Sequence, residues 1–183
     1  SSIWIERLAL SASTRAHPVL KAQYAAPSFE QKIVTPAHAA ERVRALAQPL
    51  VFTNGVFDVL HRGHVTYLSQ ARALGASLFV ALNSDASTRR LNKGADRPIN
   101  RLEDRLAVIA SLAAVDAVTW FEEDTPLALI RALRPGVLVK GGDWQPGAIV
   151  GAADVQGWGG TVHSIPFLHQ KSTTALLEAI RKN

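Results

Sequence analysis

The chain has 183 residues, 48% of them hydrophobic and 19% charged, which is the composition of one ordinary globular domain. It contains no cysteine, which excludes disulfides, thiol nucleophiles and thiolate zinc sites. The formal net charge of +5 favours anionic partners. Because the basic residues are not interleaved with aromatic ones, we expect small phosphorylated ligands and no nucleic acid. No apolar run reaches the ~20 residues of a membrane span, so we expect a cytoplasmic protein with no membrane partner.

Residues 1–34 form a segment of a different kind, without sustained periodicity and with prolines at positions 18 and 27. A disordered leader and an arm packed on a neighbouring subunit both fit this pattern. We therefore treat 1–34 as an N-terminal extension or arm and 35–183 as the folded domain.

From residue 35 onward, predicted helices and strands alternate. The predicted strands are the apolar runs at 50–54, 77–83, 116–121, 136–140 and 160–166. Helix starts are predicted at Thr35 with Pro36, at Asn100 with Glu103 spaced as a capping box, and at Thr125 with Pro126. Apolar strands separated by helices predict a parallel sheet covered on both faces. The fold class is therefore α/β, with a doubly wound, five-stranded parallel sheet.

Two histidines, His61 and His64, stand at the junction between the first predicted strand and the helix that follows it. Ligands of doubly wound sheets bind beyond the carboxyl ends of the strands, and a helix N-terminus favours an anion. Gly55 is expected to let the backbone bend, and Gly63 to let a ligand approach the main chain. Two imidazoles at this position predict a site for phosphate oxygens. A metal pair and a buried core pair are the alternatives, and the G-x-G-x-x-G pattern of a dinucleotide site is missing.

The string HRGH at 61–64 matches the H-x-G-H signature of the cytidylyltransferase-like nucleotidyltransferase superfamily, and in this motif the chain resembles that superfamily. The strings FTNGVFDVLHRGHVTYL, NSDASTRRL, RPIN, FEEDTP and LVKGGDW resemble the heptose 1-phosphate adenylyltransferases within it, over roughly residues 31–180. The resemblance implies a Rossmann-like nucleotidyltransferase domain at 35–183, in the stand-alone form without a fused sugar kinase. It also implies that D-glycero-β-D-manno-heptose 1-phosphate attacks ATP to give ADP-heptose and pyrophosphate, for lipopolysaccharide inner-core synthesis.

The residues and the resemblance together nominate a site. Catalysis is expected from His61, His64 and Lys93. Nucleotide contacts are expected from Thr53, Asn54, Gly55, Val56, Phe57, Gly63, Lys171, Ser172, Thr173 and Thr174. Contacts with the sugar phosphate are expected from Asp58, Arg97, Lys140, Gly141, Gly142, Asp143 and Trp144. No protein metal site is expected, and Mg²⁺ is expected to arrive with ATP.

Several of these residues would also suit a purely structural role. Lys93 and Arg97 suit a solvated loop, Trp144 suits a subunit contact, and Asp58 suits a turn acceptor or a partner that orients a histidine. Ser172 suits a helix cap, and Lys171 departs from the glycine that cytidylyltransferases carry there. The alternative acceptors are glycerol 3-phosphate with CTP and phosphopantetheine with ATP. A non-catalytic nucleotide-binding module and an RNA-binding protein stay open, and a homo-oligomer, dimer or higher, is expected.

Overall fold

The computed structural model describes residue 25, residues 27–91 and residues 97–168. Within these ranges the five strands are β1 Leu50–Gly55, β2 Ser77–Asn83, β3 Ala117–Phe121, β4 Val137–Gly141 and β5 Thr161–Ile165. The α-helices are α1 Ala39–Arg44, α2 Arg62–Arg72, α3 Asp85–Arg90, α4 Leu102–Ala110, α5 Leu127–Leu133 and α6 Ala152–Gly157. Short 3₁₀ turns lie at Ser28–Lys32, Pro36–His38 and Pro146–Ala148. None of these helices has the length and apolar character to cross a bilayer.

The five strands form one parallel sheet in the order β3-β2-β1-β4-β5, which confirms the predicted α/β fold. The chain builds outward from β1 to β3 and then crosses back to place β4 on the other side of β1. The direction of strand order therefore changes between β1 and β4. In open parallel sheets this switch point opens a crevice at the carboxyl ends of the strands, where ligands bind.

Two apolar clusters hold the helices against the two faces of the sheet. Along β1, Val51 faces one cluster with residues of α2 and α4, whereas Phe52 faces the other with residues of α1, α5 and α6. Alternation along β2 follows the same rule, with Leu78 on the first face and Phe79 on the second. Both faces are covered, which is why the strands read as continuous apolar runs.

None of the three predicted starts has a side-chain cap, although Thr35 and Pro36 do stand at the start of the 3₁₀ turn Pro36–His38. The prediction of Thr125 with Pro126 was wrong: Pro126 is itself the N-cap of α5, and the helix begins at Leu127.

Asn100 does not cap α4: the helix begins after Arg101 without a side-chain cap, and the Asn100 amide donates to the Asp58 carbonyl oxygen instead. The Thr35 hydroxyl bonds the His38 ring nitrogen at 2.7 Å and caps no backbone group. In both cases a tertiary or local side-chain partner replaces the backbone N–H that the capping pattern supposes. The helix α6, between β4 and β5, was not among the predicted elements.

The end of the N-terminal segment packs on the sheet. Ile33 forms a parallel bridge with Val118 of β3, and the Val34 amide donates to the Val118 carbonyl at 2.9 Å. Phe29 and Ile33 pack against the first apolar cluster. Residues 1–24 and 26 lie outside the described residues, so the prediction of a separate arm at 1–34 concerns mostly positions that the structure does not describe.

A buried arginine, Arg105 of α4, joins the carboxyl ends of two neighbouring strands. Its guanidinium donates to the carbonyl of Val56, just after β1, at 2.7 Å and to that of Asn83, the last residue of β2, at 2.9 Å. It also donates to the Asn100 carbonyl at 3.1 Å and pairs with the Asp85 carboxylate at 2.7 Å. The Arg105 side chain is 0% exposed, so its guanidinium depends on these acceptors and not on water for its hydrogen bonds.

We predict that Arg105→Ala lowers the free energy of unfolding by about 3–5 kcal/mol, because it leaves buried carbonyls and a carboxylate without their donor. Urea denaturation measures the change. Arg89→Ala, at an exposed arginine of α3, is the matched control and should stay within about 0.5 kcal/mol of wild type. Equal, small changes in both variants would show that the Arg105 contacts do not stabilise this edge of the sheet.

Candidate active site at the switch point

His61 is the N-cap residue of α2. Its backbone is extended, with φ −141° and ψ 173°, and its ring Nδ1 accepts a hydrogen bond from the backbone amide of Gly63 at 3.1 Å. A ring nitrogen that accepts a hydrogen bond carries no proton, so the neutral ring has its proton on Nε2. His61 therefore satisfies one backbone donor of the helix and presents Nε2–H as a donor.

His64 stands in the first turn of α2, beside His61. The centroids of the two imidazole rings are 4.0 Å apart and their planes are tilted by 33°. Phe57 contacts the His64 ring edge-to-face at 5.5 Å, and Phe167 does so at 6.1 Å. The predicted pair is therefore a close pair of rings at a helix N-terminus, held between two aromatic side chains.

The loop between β1 and α2 is shaped by Phe57. This residue has φ 49°, in the left-handed region, and its ring folds back onto Gly55. A Cβ at position 55 would lie 2.9 Å from a ring carbon of Phe57. Glycine at 55 is therefore explained by the close approach of this ring, whereas the unusual backbone angle falls on Phe57. The Phe57 ring, itself buried, then packs on His64.

Asp58 and Arg97, both predicted substrate contacts, are brought together as a buried ion pair. Arg97 Nε lies 2.5 Å from the Asp58 carboxylate, and the two side chains are 10% and 0% exposed. The same carboxylate accepts from the backbone amides of Ile99 at 2.9 Å and Asn100 at 2.8 Å. These contacts fasten the loop before the histidines to the segment 97–100. Direct contact of either residue with substrate stays a prediction.

The crevice itself is bridged by side chains from β1, α2 and β4. Lys140 Nζ on β4 donates to the side-chain oxygen of Asn54 on β1 at 3.4 Å. The Tyr67 hydroxyl on α2 hydrogen-bonds Thr53 and donates to the Val139 carbonyl at 3.4 Å. Burial raises the pKa of Tyr67 above its usual value, so its hydroxyl keeps its proton. Thr53, fully buried, therefore serves this bridge with its hydroxyl.

The segment after β4 forms the opposite rim. Gly142 has φ 112°, a conformation that favours glycine, and turns the chain towards Trp144. The Trp144 indole donates to the Gly141 carbonyl at 3.1 Å, while 48% of the residue stays exposed. Asp143 is exposed beside it. The rim thus offers a fixed aromatic face and a carboxylate to solvent.

Some predicted residues lie outside the described ranges: Lys93, Lys171, Ser172, Thr173 and Thr174. Among the residues that the structure does describe, no group of three or more histidine, aspartate or glutamate side chains could hold a metal ion.

Sequence reasoning missed Tyr67, Arg105 and Phe167. The spacing from His64 to Tyr67 puts both on one face of α2, which is a usable signal. Phe167 follows β5 closely and so reaches the same edge of the sheet. Arg105 was missed because arginine is rarely fully buried, although its spacing from Leu102 and Ile109 puts it on the apolar face of α4.

The chain is similar to several known proteins. The chain is 56% identical over 156 residues to the D-beta-D-heptose 1-phosphate adenylyltransferase of Bordetella bronchiseptica, covering 84% of this chain and 96% of that protein. It is 55% identical over 145 residues to the bifunctional protein HldE of Hahella chejuensis, of which it spans 30%.

Solved structures show the same fold. The lipopolysaccharide core biosynthesis protein of Thermoplasma volcanium is 30% identical, with a TM-score of 0.53 over 67% of this chain and 98% of that one. The pantoate-beta-alanine ligase of Francisella tularensis is 15% identical, with a TM-score of 0.55 over 78% of this chain and 68% of that one, and shows the fold alone. The family model described as cytidylyltransferase-like matches residues 52–178. The resemblance seen in the sequence is thereby confirmed: the chain belongs to the cytidylyltransferase-like family.

Proposed function

We propose that this chain transfers the adenylyl group of ATP to D-glycero-β-D-manno-heptose 1-phosphate, giving ADP-heptose and pyrophosphate. The observation that carries the proposal is the His61–His64 pair, whose rings lie 4.0 Å apart at a helix N-terminus beside the switch point of the sheet. The 56% identity to a heptose 1-phosphate adenylyltransferase supports the choice of nucleotide and acceptor.

The reaction needs no covalent intermediate with the protein. A phosphate oxygen of the sugar attacks the α-phosphorus of ATP, the bond from that phosphorus to the bridging oxygen breaks, and pyrophosphate leaves with its electron pair. Negative charge grows on the phosphoryl and leaving oxygens. His61, through Nε2–H, and His64 are positioned to donate hydrogen bonds to those oxygens, next to the positive end of the α2 dipole. Catalysis then comes from alignment and charge stabilisation.

The sugar phosphate is assigned to the rim after β4. Lys140 supplies a cation at the crevice, and its contact with Asn54 keeps it over the end of β1. Asp143 is an exposed acceptor for sugar hydroxyls, and the Trp144 face, fixed by the Gly141 carbonyl, packs on the apolar side of a sugar ring. This arrangement puts acceptor and nucleotide on opposite sides of the switch point.

Mg²⁺ is proposed to enter on the polyphosphate and to neutralise part of its charge. Magnesium prefers oxygen ligands and usually keeps several waters, so nucleotide phosphates suit it better than the two imidazoles do. The described residues fit this division, since the Asp58 carboxylate is paired with Arg97 and the His61 Nδ1 accepts from the Gly63 amide.

A cytoplasmic location is proposed because ATP, the donor, is a cytoplasmic metabolite, and cell fractionation tests it. We also propose a homo-oligomer, for which the half-exposed apolar residues Val65 and Val108 are candidate contacts. Light scattering in solution tests this, and a monomer would refute it.

We propose that the product serves lipopolysaccharide inner-core assembly, in keeping with the names of the relatives.

The first test is pyrophosphate release with D-glycero-β-D-manno-heptose 1-phosphate and Mg²⁺. We expect release with ATP and not with CTP, and a fall in kcat of about 10²–10³-fold in His64→Ala, the loss typical of one donor to developing charge. His38→Ala, at an exposed histidine before α1, is the matched control and should match wild type.

Release with CTP alone would overturn the adenylyl assignment and keep the reaction class. Nucleotide binding without pyrophosphate release would favour a non-catalytic module, provided that heptose 1-phosphate, glycerol 3-phosphate and phosphopantetheine all fail as acceptors. Steeply salt-dependent affinity for RNA without turnover would favour an RNA-binding protein.

A second test separates the two roles of His61. His61→Ala should lose about 1 kcal/mol of stability together with activity, because both the helix cap and the ring donor are removed. His61→Asn restores a side-chain acceptor at the N-cap, so it should recover most of the stability while activity stays low. Thermal or urea unfolding and pyrophosphate release, measured on the same samples, check this. Full activity in His61→Asn would show that His61 serves only as a cap.

A further inference from the structure

Phe167 reaches the candidate site from an element that carries none of the described site residues. It lies just after β5, and its ring meets His64 edge-to-face with centroids 6.1 Å apart and planes at 82°. The same ring meets Tyr67 at 5.6 Å and 64°. One side chain therefore contacts both the histidine and the tyrosine that bridges β1 to β4.

The Phe167 ring packs directly against Gly141 of β4. A Cβ at Gly141 would lie 2.7 Å from Cζ of Phe167 and 3.3 Å from a ring carbon of Tyr67. The backbone of Gly141 lies in a strand and has no left-handed φ, so conformation does not explain the glycine. The glycine is explained by lack of space, because any side chain at 141 would push the Phe167 ring, which packs against β4.

His64 is therefore contacted by rings on three sides. Phe57, from the loop after β1, packs on it at 5.5 Å, and His61 lies 4.0 Å away. Phe167 adds a contact from the other side of the switch point. A histidine side chain has two rotatable bonds, and packing of this kind selects one orientation of the ring.

We propose that Phe167 is a positioning residue for His64, seated on Gly141 so that its ring holds the imidazole in the orientation that phosphoryl transfer needs. This rests on the proposed function, in which His64 donates to the reacting phosphate oxygens. Phe167 itself donates no hydrogen bond and carries no charge, so its contribution passes through the imidazole. Displacement of a catalytic group by about 1 Å can cost 10²-fold in rate.

The first experiment compares Phe167→Ala and Phe167→Leu with Leu168→Ala, a matched control at a neighbouring residue that is 65% exposed. We expect kcat for pyrophosphate release to fall about 10–100-fold in Phe167→Ala, and less in Phe167→Leu, while KM for ATP changes by less than about threefold. Leu168→Ala should match wild type in both constants.

The second readout needs no turnover. Nuclear Overhauser contacts between the ring protons of His64 and Phe57, whose centroids lie 5.5 Å apart, report the position of the imidazole. They should weaken in Phe167→Leu and Phe167→Ala and stay unchanged in Leu168→Ala. Because these spectra are recorded on the ligand-free protein, they report the ring's position even if heptose 1-phosphate proves not to be the acceptor. If the wild type is inactive but the His64–Phe57 contacts weaken in the Phe167 variants, the proposed function is refuted and the positioning role stands.

The third experiment tests the seat itself. Gly141→Ala should lower kcat and weaken the contacts between the His64 and Phe57 rings, because the added methyl group pushes the Phe167 ring. In the double variant with Phe167→Ala, the added methyl group has room, so Gly141→Ala should cost less than it does alone. Gly157→Ala, where an added Cβ meets nothing within 4 Å, is the control.

Unchanged contacts between the His64 and Phe57 rings in folded Phe167→Ala and Phe167→Leu would overturn the proposal, whatever happens to kcat. So would a loss of kcat in Gly141→Ala that is the same with and without Phe167, because the effect would then not pass through this ring.

Discussion

The architecture of the site depends on two buried charges of opposite sign, Arg105 and Asp58. The loops at the carboxyl edge of the sheet are irregular, so their backbone groups cannot be paired by neighbouring strands. Arg105 supplies donors to the carbonyl groups that follow β1, end β2 and precede α4. Asp58 supplies acceptors to the amides of the segment 97–100. Each charged side chain supplies hydrogen-bond partners to buried backbone groups, which an apolar side chain could not do.

This polar framework places the histidine loop. Val56 is held through its carbonyl by Arg105, and Asp58 is held by Arg97, so the backbone is fixed on both sides of Phe57. Phe57 can then keep a left-handed φ, fold onto Gly55 and support His64. In the mechanism that we propose, the preorganisation of the imidazole donors begins in this buried network and reaches the rings through the packing of Phe57.

The sequence was sufficient for the features that rest on local patterns. Apolar runs located the five strands, and the string HRGH located the two imidazoles at a strand–helix junction. Features that rest on distant partners were not predictable in this way. Asn100 has the spacing of a cap but bonds the Asp58 carbonyl, and Arg105 belongs to a residue type that is rarely buried but is buried here. The role of such a side chain depends on a partner that is distant in sequence. The residues next to it in the chain do not identify that partner.

The segment before α1 also has a consequence for how the sheet ends. β3 is an outer strand, and an outer strand offers unpaired backbone groups on which another chain can add a strand of its own. Here Ile33 and Val34 pair with Val118, and the Thr119 hydroxyl donates to the Val34 carbonyl at 2.8 Å. Lys32 closes the same border by donating to the Leu112 carbonyl at 3.2 Å. A short segment of the same chain thereby covers this part of the sheet edge. That stretch of β3 is closed to intermolecular strand addition and to the aggregation that follows from it.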